Sequence, residues 1–285
     1  MPELPEVEFV ARQLRQDLIG RRITAVDVLW ARTVQGIEPR DFAARLSGRE
    51  VRAITRRGKY LLVVLDDGLT LAVHRRMSGN LLFAAPGAEE PYTRVRLTLD
   101  DGRALLFTDP RKFGRMTLVE AGEVLAGIAA LGPEPLEPTF TPDALAARLA
   151  GRKRAIKALL LDQTAVAGLG NIYADEALFR ARIHPLRPAS SLTPGEITRL
   201  HAGIRGALET GLAHGGTTFE RHRDAYNEAG RNLEHVAVYR RTGQPCPRCG
   251  APIERITVGQ RGTHYCPHCQ PRDLPHQRAP RARRG

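Results

Sequence analysis

Two groups of residues in this sequence have types and spacings suited to chemistry. The first is Cys246-x2-Cys249 followed, sixteen residues later, by Cys266-x2-Cys269. A Cys-x2-Cys turn presents two thiolates to one ion, and two such turns complete a tetrahedron with no open position. The spacing predicts one structural zinc ion, Zn2+, held by all four. His264 and His268 lie nearby in the chain and are expected at the surface. Residues 253–258 and 262–265 read as a β-hairpin with Gln260 and Arg261 at its tip. That tip is either a solvated turn or a finger that holds Arg261 against a polyanion. The second group is at the start, where Met1 precedes Pro2, Glu3 and Glu6. Removal of Met1, common before a small residue, exposes a secondary amine on Pro2. A free α-amino group has a pKa of about 7.7–8, so a useful fraction is neutral and can form a Schiff base with a sugar carbon. Pro and Glu are also ordinary helix-start residues, and local physics alone favours that plainer reading.

Several elements must position these groups. Residues 2–19 read as a helix, with Val7, Val10, Leu14 and Leu18 at helical spacing and Gly20 as the stop. Residues 21–119 read mostly as β structure. Asp66-Asp67-Gly68 and Asp100-Asp101-Gly102 each sit between apolar runs, which is a hairpin signal. Several antiparallel strands at this spacing predict a sandwich. Residues 84–93 read as a loop. The run 131–138 is Pro-rich and marks the best boundary. Helical patterns follow at 143–149, 155–161, 171–180 and 194–214. Residues 215–230 read as a flexible loop. The fold class is therefore α+β and multidomain: an N-terminal helix plus antiparallel β-sandwich over 1–134, a helical domain over 139–232, a four-cysteine zinc finger over 236–270, and a disordered basic tail over 271–285.

Charge narrows the partner. The formal net charge is +12, and a surplus of this size points to a polyanion, because each neutralised phosphate releases a counterion. The basic side chains are nearly all Arg, the lysines being Lys59, Lys112, Lys153 and Lys157; arginine suits bidentate phosphate and base contacts, although a GC-rich genome also raises its count. No apolar run approaches the roughly 18 residues of a membrane span, and the acidic, Pro-rich start is unlike a secretory signal. The expectation is a cytoplasmic monomer, with clustered cysteines that serve a metal rather than disulfides.

A resemblance sharpens this. Pro2-Glu3-Leu4-Pro5-Glu6-Val7-Glu8 resembles the signature start of the formamidopyrimidine-DNA glycosylases, which remove 8-oxoguanine and ring-opened purines. Further segments are similar in the same order: 57–62, His74 to Gly79, Asp109 to Gly114, Leu161 to Ala174 with its Gly168-Leu169-Gly170-Asn171 turn, Gly215 to Thr218, and Val238-Tyr239-Arg240 before the finger. Leu161 to Ala174 resembles the family's helix–two-turn–helix DNA-binding motif. The resemblance spans residues 2–269.

The resemblance implies a bacterial base-excision-repair enzyme, both glycosylase and AP lyase, acting on damaged double-stranded DNA by β,δ-elimination. Pro2 would attack C1′ and form the imine, and Glu3 would act as general acid or proton shuttle at the sugar. Lys59 would relay a proton for β-elimination, a task open to an amine and not to a guanidinium. Arg261 would hold phosphate and assist δ-elimination. Met77, Arg111 and Phe113 match the residues that refill the stack after the lesion leaves it. Asn171 would bind phosphate at a helix N-terminus, and Tyr92, Arg152 and Lys157 align with DNA-contacting positions. The segment His74-Arg75-Arg76-Met77 is more basic than is usual in the family, and the lesion-capping segment 219–231 also differs. The nearest rival, the endonuclease VIII type for oxidised pyrimidines, usually carries Gly where this chain has Leu4 and lacks the Met77/Arg111/Phe113 arrangement. A non-catalytic zinc-finger DNA-binding protein would have no need of Pro2, Glu3 and Lys59 together.

The nucleophile assignment requires an open N-terminus. A chain that retains Met1 is expected to bind DNA and fail to cut it. Intact-mass measurement beside a nicking assay checks this, and cutting by the Met1-bearing form would rule Pro2 out.

Overall fold

The computed structural model describes residues 1–219 and 222–272, so most of the basic tail, from residue 273 on, lies outside the described residues. The chain forms two compact units: residues 1–134 with 208–235, and residues 135–207 with 236 onward.

The first unit opens with α1 (Leu4–Asp17), whose N-cap is Glu3 and whose first turn holds Pro5. Leu4, Val7, Val10, Ala11 and Leu14 are buried along one face, as the 3.6-residue period requires. The helix begins two residues later than the sequence suggests. Glu6 turns its carboxylate back to accept from the Glu3 backbone N–H at 2.7 Å, the reciprocal arrangement that closes a helix start. Pro2 therefore stands just before the helix, and it is buried.

Then follow β1 (Ile23–Val28), β2 (Val34–Gln35), α2 (Pro39–Leu46), β3 (Val51–Arg57), β4 (Tyr60–Leu65) and β5 (Thr70–His74). β6 (Asn80–Ala84), β7 (Thr93–Leu99), β8 (Ala104–Thr108), β9 (Arg115–Val119) and the one-turn α3 (Ala126–Ala129) complete the run. The strands make two sheets, ordered β1-β7-β8-β6 and β2-β9-β5-β4-β3. Both expected Asp-Asp-Gly hairpins form, joining β4 to β5 and β7 to β8, with Gly68 at φ +82° and Gly102 at φ +84°. Those positive values are open to glycine at no steric cost. Val63 and Val73 from one sheet, Leu97 and Phe107 from the other, and Val10 and Leu14 of α1 share one apolar core. This is the expected sandwich. α2 was not legible as a helix among the β runs, yet Pro39 stands at its start and Phe42 and Leu46 are buried four residues apart.

The second unit holds α4 (Pro142–Leu149), α5 (Ile156–Leu160), α6 (Asn171–Ala181), most of α7 (Pro194–Ala213), β10 (Glu254–Val258) and β11 (Arg261–Tyr265). β10 and β11 pair antiparallel, Val258 opposite Arg261, so Gly259 and Gln260 form the tip and Arg261 opens the returning strand. Among the described residues, no helix is long and apolar enough to cross a membrane.

The units and the sequence-based limits divide residues 208–235 differently. Sequence places them with the helical segment, whereas they pack with the first unit. The cause is long-range bonding. Glu6 accepts from Thr217 N–H at 2.7 Å, and Gln13 donates to Asp224 at 2.7 Å and accepts from Ala225 N–H at 2.9 Å. Residues 222–225, read from sequence as flexible, are held by these partners, and Ala225 is fully buried.

α6 and α7 meet at Gly203, where a Cβ would lie 2.6 Å from the Ala177 carbonyl oxygen. Alanine improves a mid-helix glycine by about 1 kcal/mol, but this clash is with backbone and overpacking costs about 1–3 kcal/mol. Gly203→Ala is therefore expected to lower the thermal midpoint; a rise would show that the helices separate freely.

Candidate active site and nucleic-acid interface

The chemistry at the N-terminus rests on a buried carboxylate. Glu6 is 1% exposed, and its two oxygens accept from the backbone N–H groups of Glu3 and Thr217. Gly216 makes room, since a Cβ there would meet Glu6 Cγ at 2.8 Å. Glu3 is buried as well. The amino group of Met1 lies in this environment, and its pKa falls below the ordinary 8.0. Burial is the largest cause; Glu3 and Glu6 oppose the shift, while the charges of Lys59 and Arg75 add to it. The net result favours the neutral form of that amine, and Pro2, the next residue, is itself buried.

Lys59 is buried at the turn between β3 and β4, after Gly58 at φ +55°. The turn is clamped from outside by Glu134. That carboxylate forms an ion pair with Arg56 at 2.7 Å and accepts hydrogen bonds from Arg57 at 2.8 Å and from the Gly58 backbone N–H. His74 follows nearby in β5, and its ring packs edge-on against Tyr60. Burial first, then the charges of Arg76 and Lys59, push its pKa down to about 4, so it is neutral in physiological conditions.

Met77, Arg111 and Phe113 lie on two loops that the structure ties together. Asp109 is 1% exposed. It accepts from the Ser78 hydroxyl of the Met77 loop, and within its own loop from Arg111 N–H at 3.2 Å and Gly114 N–H at 2.7 Å. The ring of Phe107 presses on both loops where they lack side chains, at Gly79 and Gly114. Lys112 places its ammonium 3.9 Å over the Trp30 ring. With their backbones held, Met77 and Phe113 remain 41% and 47% exposed. Apolar side chains this exposed on braced loops are not core residues. Arg111 lies 5.0 Å over the Phe113 ring. Tyr92, at φ +64°, joins the same group, because its carbonyl accepts from Asp109 N–H at 3.0 Å.

In the second unit the structure revises two expectations. Lys157 is fully buried and paired with Asp175 at 2.7 Å, so it does not present its ammonium to phosphate. It donates instead to Gly262 O at 3.1 Å and Thr263 Oγ1 at 2.8 Å, and the Thr263 hydroxyl donates to Arg261 O. His264, expected at the surface, is buried with its backbone N–H on Asp175 at 2.9 Å. Both changes have one cause: a buried carboxylate gathers every nearby donor to offset its lost hydration. Asn171 stands at the first position of α6, with Gly170 as N-cap, and donates its amide to Gly262 O at 2.9 Å. Lys157 and Asn171 thus converge on the residue after Arg261, which is itself exposed. Arg152 is exposed in the turn after α4.

The four cysteine sulfurs lie within 4.8 Å of one another, with Sγ–Sγ distances of 3.9 Å for Cys246 and Cys269 and 3.5 Å for Cys249 and Cys266. Four Zn–S bonds of about 2.3 Å require edges of about 3.8 Å. Each pair also accepts a backbone N–H on its first sulfur, from Arg248 at 3.4 Å and from Cys269 at 3.3 Å. The cluster is consistent with one structural zinc ion.

Sequence reasoning passed over Glu134, Arg75, Asp109 and Asp175 as individual residues. Asp109 lay inside a recognised segment, and Glu134 was a charge isolated among prolines. Asp175 carried no local signal, and Arg75 stood out only as part of a segment more basic than is usual in the family, with its partners in α1 and at 222–223 far along the chain.

Fold and site together define a zinc-finger protein of the DNA-processing class, with chemistry in a sandwich unit and a helical, finger-bearing unit beside it in the chain. The sequence matches the formamidopyrimidine-DNA glycosylase N-terminal domain over residues 1–116, the H2TH domain of the same proteins over 131–222, and the zinc finger found in FPG and IleRS over 243–272. It is 53% identical over 272 residues to a formamidopyrimidine-DNA glycosylase of a Roseiflexus species, covering 95% of this chain and 100% of that one. It is 52% identical to the Chloroflexus aggregans protein of the same name, covering 95% and 98%. Among solved structures, the Thermus thermophilus MutM (Fpg) protein superposes with a TM-score of 0.86 at 41% identity, over 96% of this chain and all of that one. A Lactococcus lactis Fpg mutant in complex with Fapy-dG-containing DNA gives 0.89 at 36% identity, over 95% and 100%. This chain belongs to the formamidopyrimidine-DNA glycosylase family.

Removing one partner of a buried ion pair costs about 3–5 kcal/mol. Asp175→Asn leaves the Lys157 ammonium without its counter-charge and loosens the finger tip. The expected result is a markedly lower thermal midpoint; an unchanged midpoint would show that the pair does not hold the tip.

Proposed function

We propose that Pro2, freed of Met1, is the nucleophile of a bifunctional DNA glycosylase and AP lyase. As a member of its family, the chain excises oxidised purines in base excision repair. The observation that carries the assignment of Pro2 is its buried place directly before α1, next to buried Glu3 and in the same unit as buried Lys59. The neutral amine attacks C1′ of the damaged nucleotide, the base departs, and an imine forms with the sugar. Glu3 moves protons at the sugar ring, and Lys59 serves the elimination that nicks the strand. Met77, Arg111 and Phe113 fill the space left by the extruded nucleotide. Arg261, Asn171, Arg152 and Tyr92 hold the DNA, with Lys157 as support for Arg261. Double-stranded damaged DNA as partner agrees with Lactococcus lactis relatives crystallised with Fapy-dG and abasic-site DNA. The chain would act as a monomer in the bacterial cytoplasm, where that substrate lies. The domain limits that serve this reading are 1–134, 139–232 and 236–270, with residues 208–232 packed on the catalytic unit.

Borohydride trapping on a duplex holding 8-oxoguanine opposite cytosine tests the assignment. Wild type is expected to give a covalent adduct and Pro2→Gly none; equal trapping by the variant would move the nucleophile elsewhere. The pH dependence carries a sign. The Met1 amine has a pKa lowered from 8.0, and the Pro2 amine left by its removal is expected to share that burial and to be neutral below 8.0. The trapping rate should rise through the acid range and level off before pH 8.0. A rate that keeps climbing beyond that point would contradict the depressed amine.

A further inference from the structure

Arg75 is the largest fully buried side chain of the described residues, at 1% exposure; among those residues the carboxylates of Glu6 and Asp224 act on it through space without a direct ion pair. Its guanidinium is satisfied by five neutral acceptors. Nε donates to Gly79 O at 2.8 Å and Nη1 to Glu6 O at 3.2 Å. Nη2 donates to Asn80 Oδ1 at 2.8 Å, His222 Nδ1 at 2.9 Å and Arg223 O at 3.0 Å. Asn80 Oδ1 also accepts from Arg223 N–H at 3.0 Å. One side chain therefore joins α1, the loop that carries Met77, and the segment at 222–223.

The position of that segment matters for chemistry. Burial first, then the charge of Arg75, and after it those of the Met1 amino terminus and Arg223, hold His222 well below its ordinary pKa. The ring is therefore neutral, and because Arg75 can only donate, Nδ1 is the acceptor and the proton sits on Nε2. His222 is only half-buried by surface exposure. A base attached to the sugar carbon that the amine attacks must lie within a few ångströms of the amine.

We propose that Arg75 is a positioning residue for base release, locking neutral His222 beside the amino terminus as a donor-bearing wall of the site that takes the damaged base. A purine lesion offers carbonyl oxygens of the base as acceptors; an abasic site has no base to offer them. Arg75 should thus matter more when a base is present than when it is absent. This inference rests on the glycosylase reading of the same site.

The experiment compares two single-turnover reactions at saturating enzyme: release of 8-oxoguanine from a duplex opposite cytosine, and cleavage of a duplex with a preformed abasic site. A hydrogen bond to a charged group contributes about 1.5–3 kcal/mol, or about ten- to a hundredfold in rate. Arg75→Met is expected to slow base release at least about tenfold more than abasic-site cleavage. His222→Phe keeps the ring and removes both nitrogens, and is expected to show the same selective loss. Equal losses in the two reactions, or no loss in either, would overturn the proposal and leave Arg75 as a core residue only. If Arg75→Met does not fold, His222→Phe decides by the same criterion. If wild type releases no base yet cleaves the abasic duplex, the reading of purine excision fails instead.

Discussion

The catalytic unit is organised around one buried carboxylate. Glu6 cannot be left without partners in a core, because an unsolvated carboxylate costs several kcal/mol. It takes the backbone N–H of Glu3 with one oxygen and that of Thr217 with the other. The first bond fixes the peptide that follows Pro2 and starts the helix. The second brings residues 216–217 from the far end of the chain onto the same spot, where only glycine fits at 216. The N-terminus, usually the loosest part of a chain, is thereby placed to a defined geometry among the charges of Glu3, Glu6, Lys59 and Arg75.

The two most deeply buried cations of the described residues, Lys157 and Arg75, are handled in opposite ways, and the difference follows their tasks. Lys157 is paired with Asp175, so the pair is neutral and serves to brace the finger tip. Arg75 donates to carbonyls, an amide oxygen and a neutral imidazole, and among the described residues the carboxylates of Glu6 and Asp224 act on it without a direct ion pair. Burial brings its own pKa down to about 10, which still leaves it charged. A positive charge close to an amine disfavours the protonated amine. Stability would be served as well by an apolar core residue there; the guanidinium instead couples loop placement to the state of the nucleophile.

The braced loops show how exposure can be made specific. Asp109 uses both oxygens on the backbone and hydroxyl groups of two loops, and Phe107 packs where Gly79 and Gly114 have no side chain. The loops cannot relax inward to bury Met77 and Phe113. Apolar surface that would ordinarily collapse stays at the solvent, available to stacked bases.

Local signals in the sequence carried the architecture. α1 was legible from its apolar period, the two hairpins from Asp-Asp-Gly, and the zinc site from the Cys spacing, because each depends on residues close in the chain. α2 was hidden, since its eight residues lie among strands and bury only Phe42 and Leu46 as large side chains. Met77 and Phe113 were readable as wedges only through the family resemblance; composition alone would have put them in the core. What the tertiary structure decided were the partnerships across long separations. It buried Lys157 and His264 on Asp175, moved residues 208–235 onto the sandwich unit, and built the five-acceptor cage of Arg75. The physical reason is the same throughout. The conformation of a segment follows from its neighbours in sequence, whereas the partner of a buried charge is whichever polar group the fold delivers, and no local pattern records that.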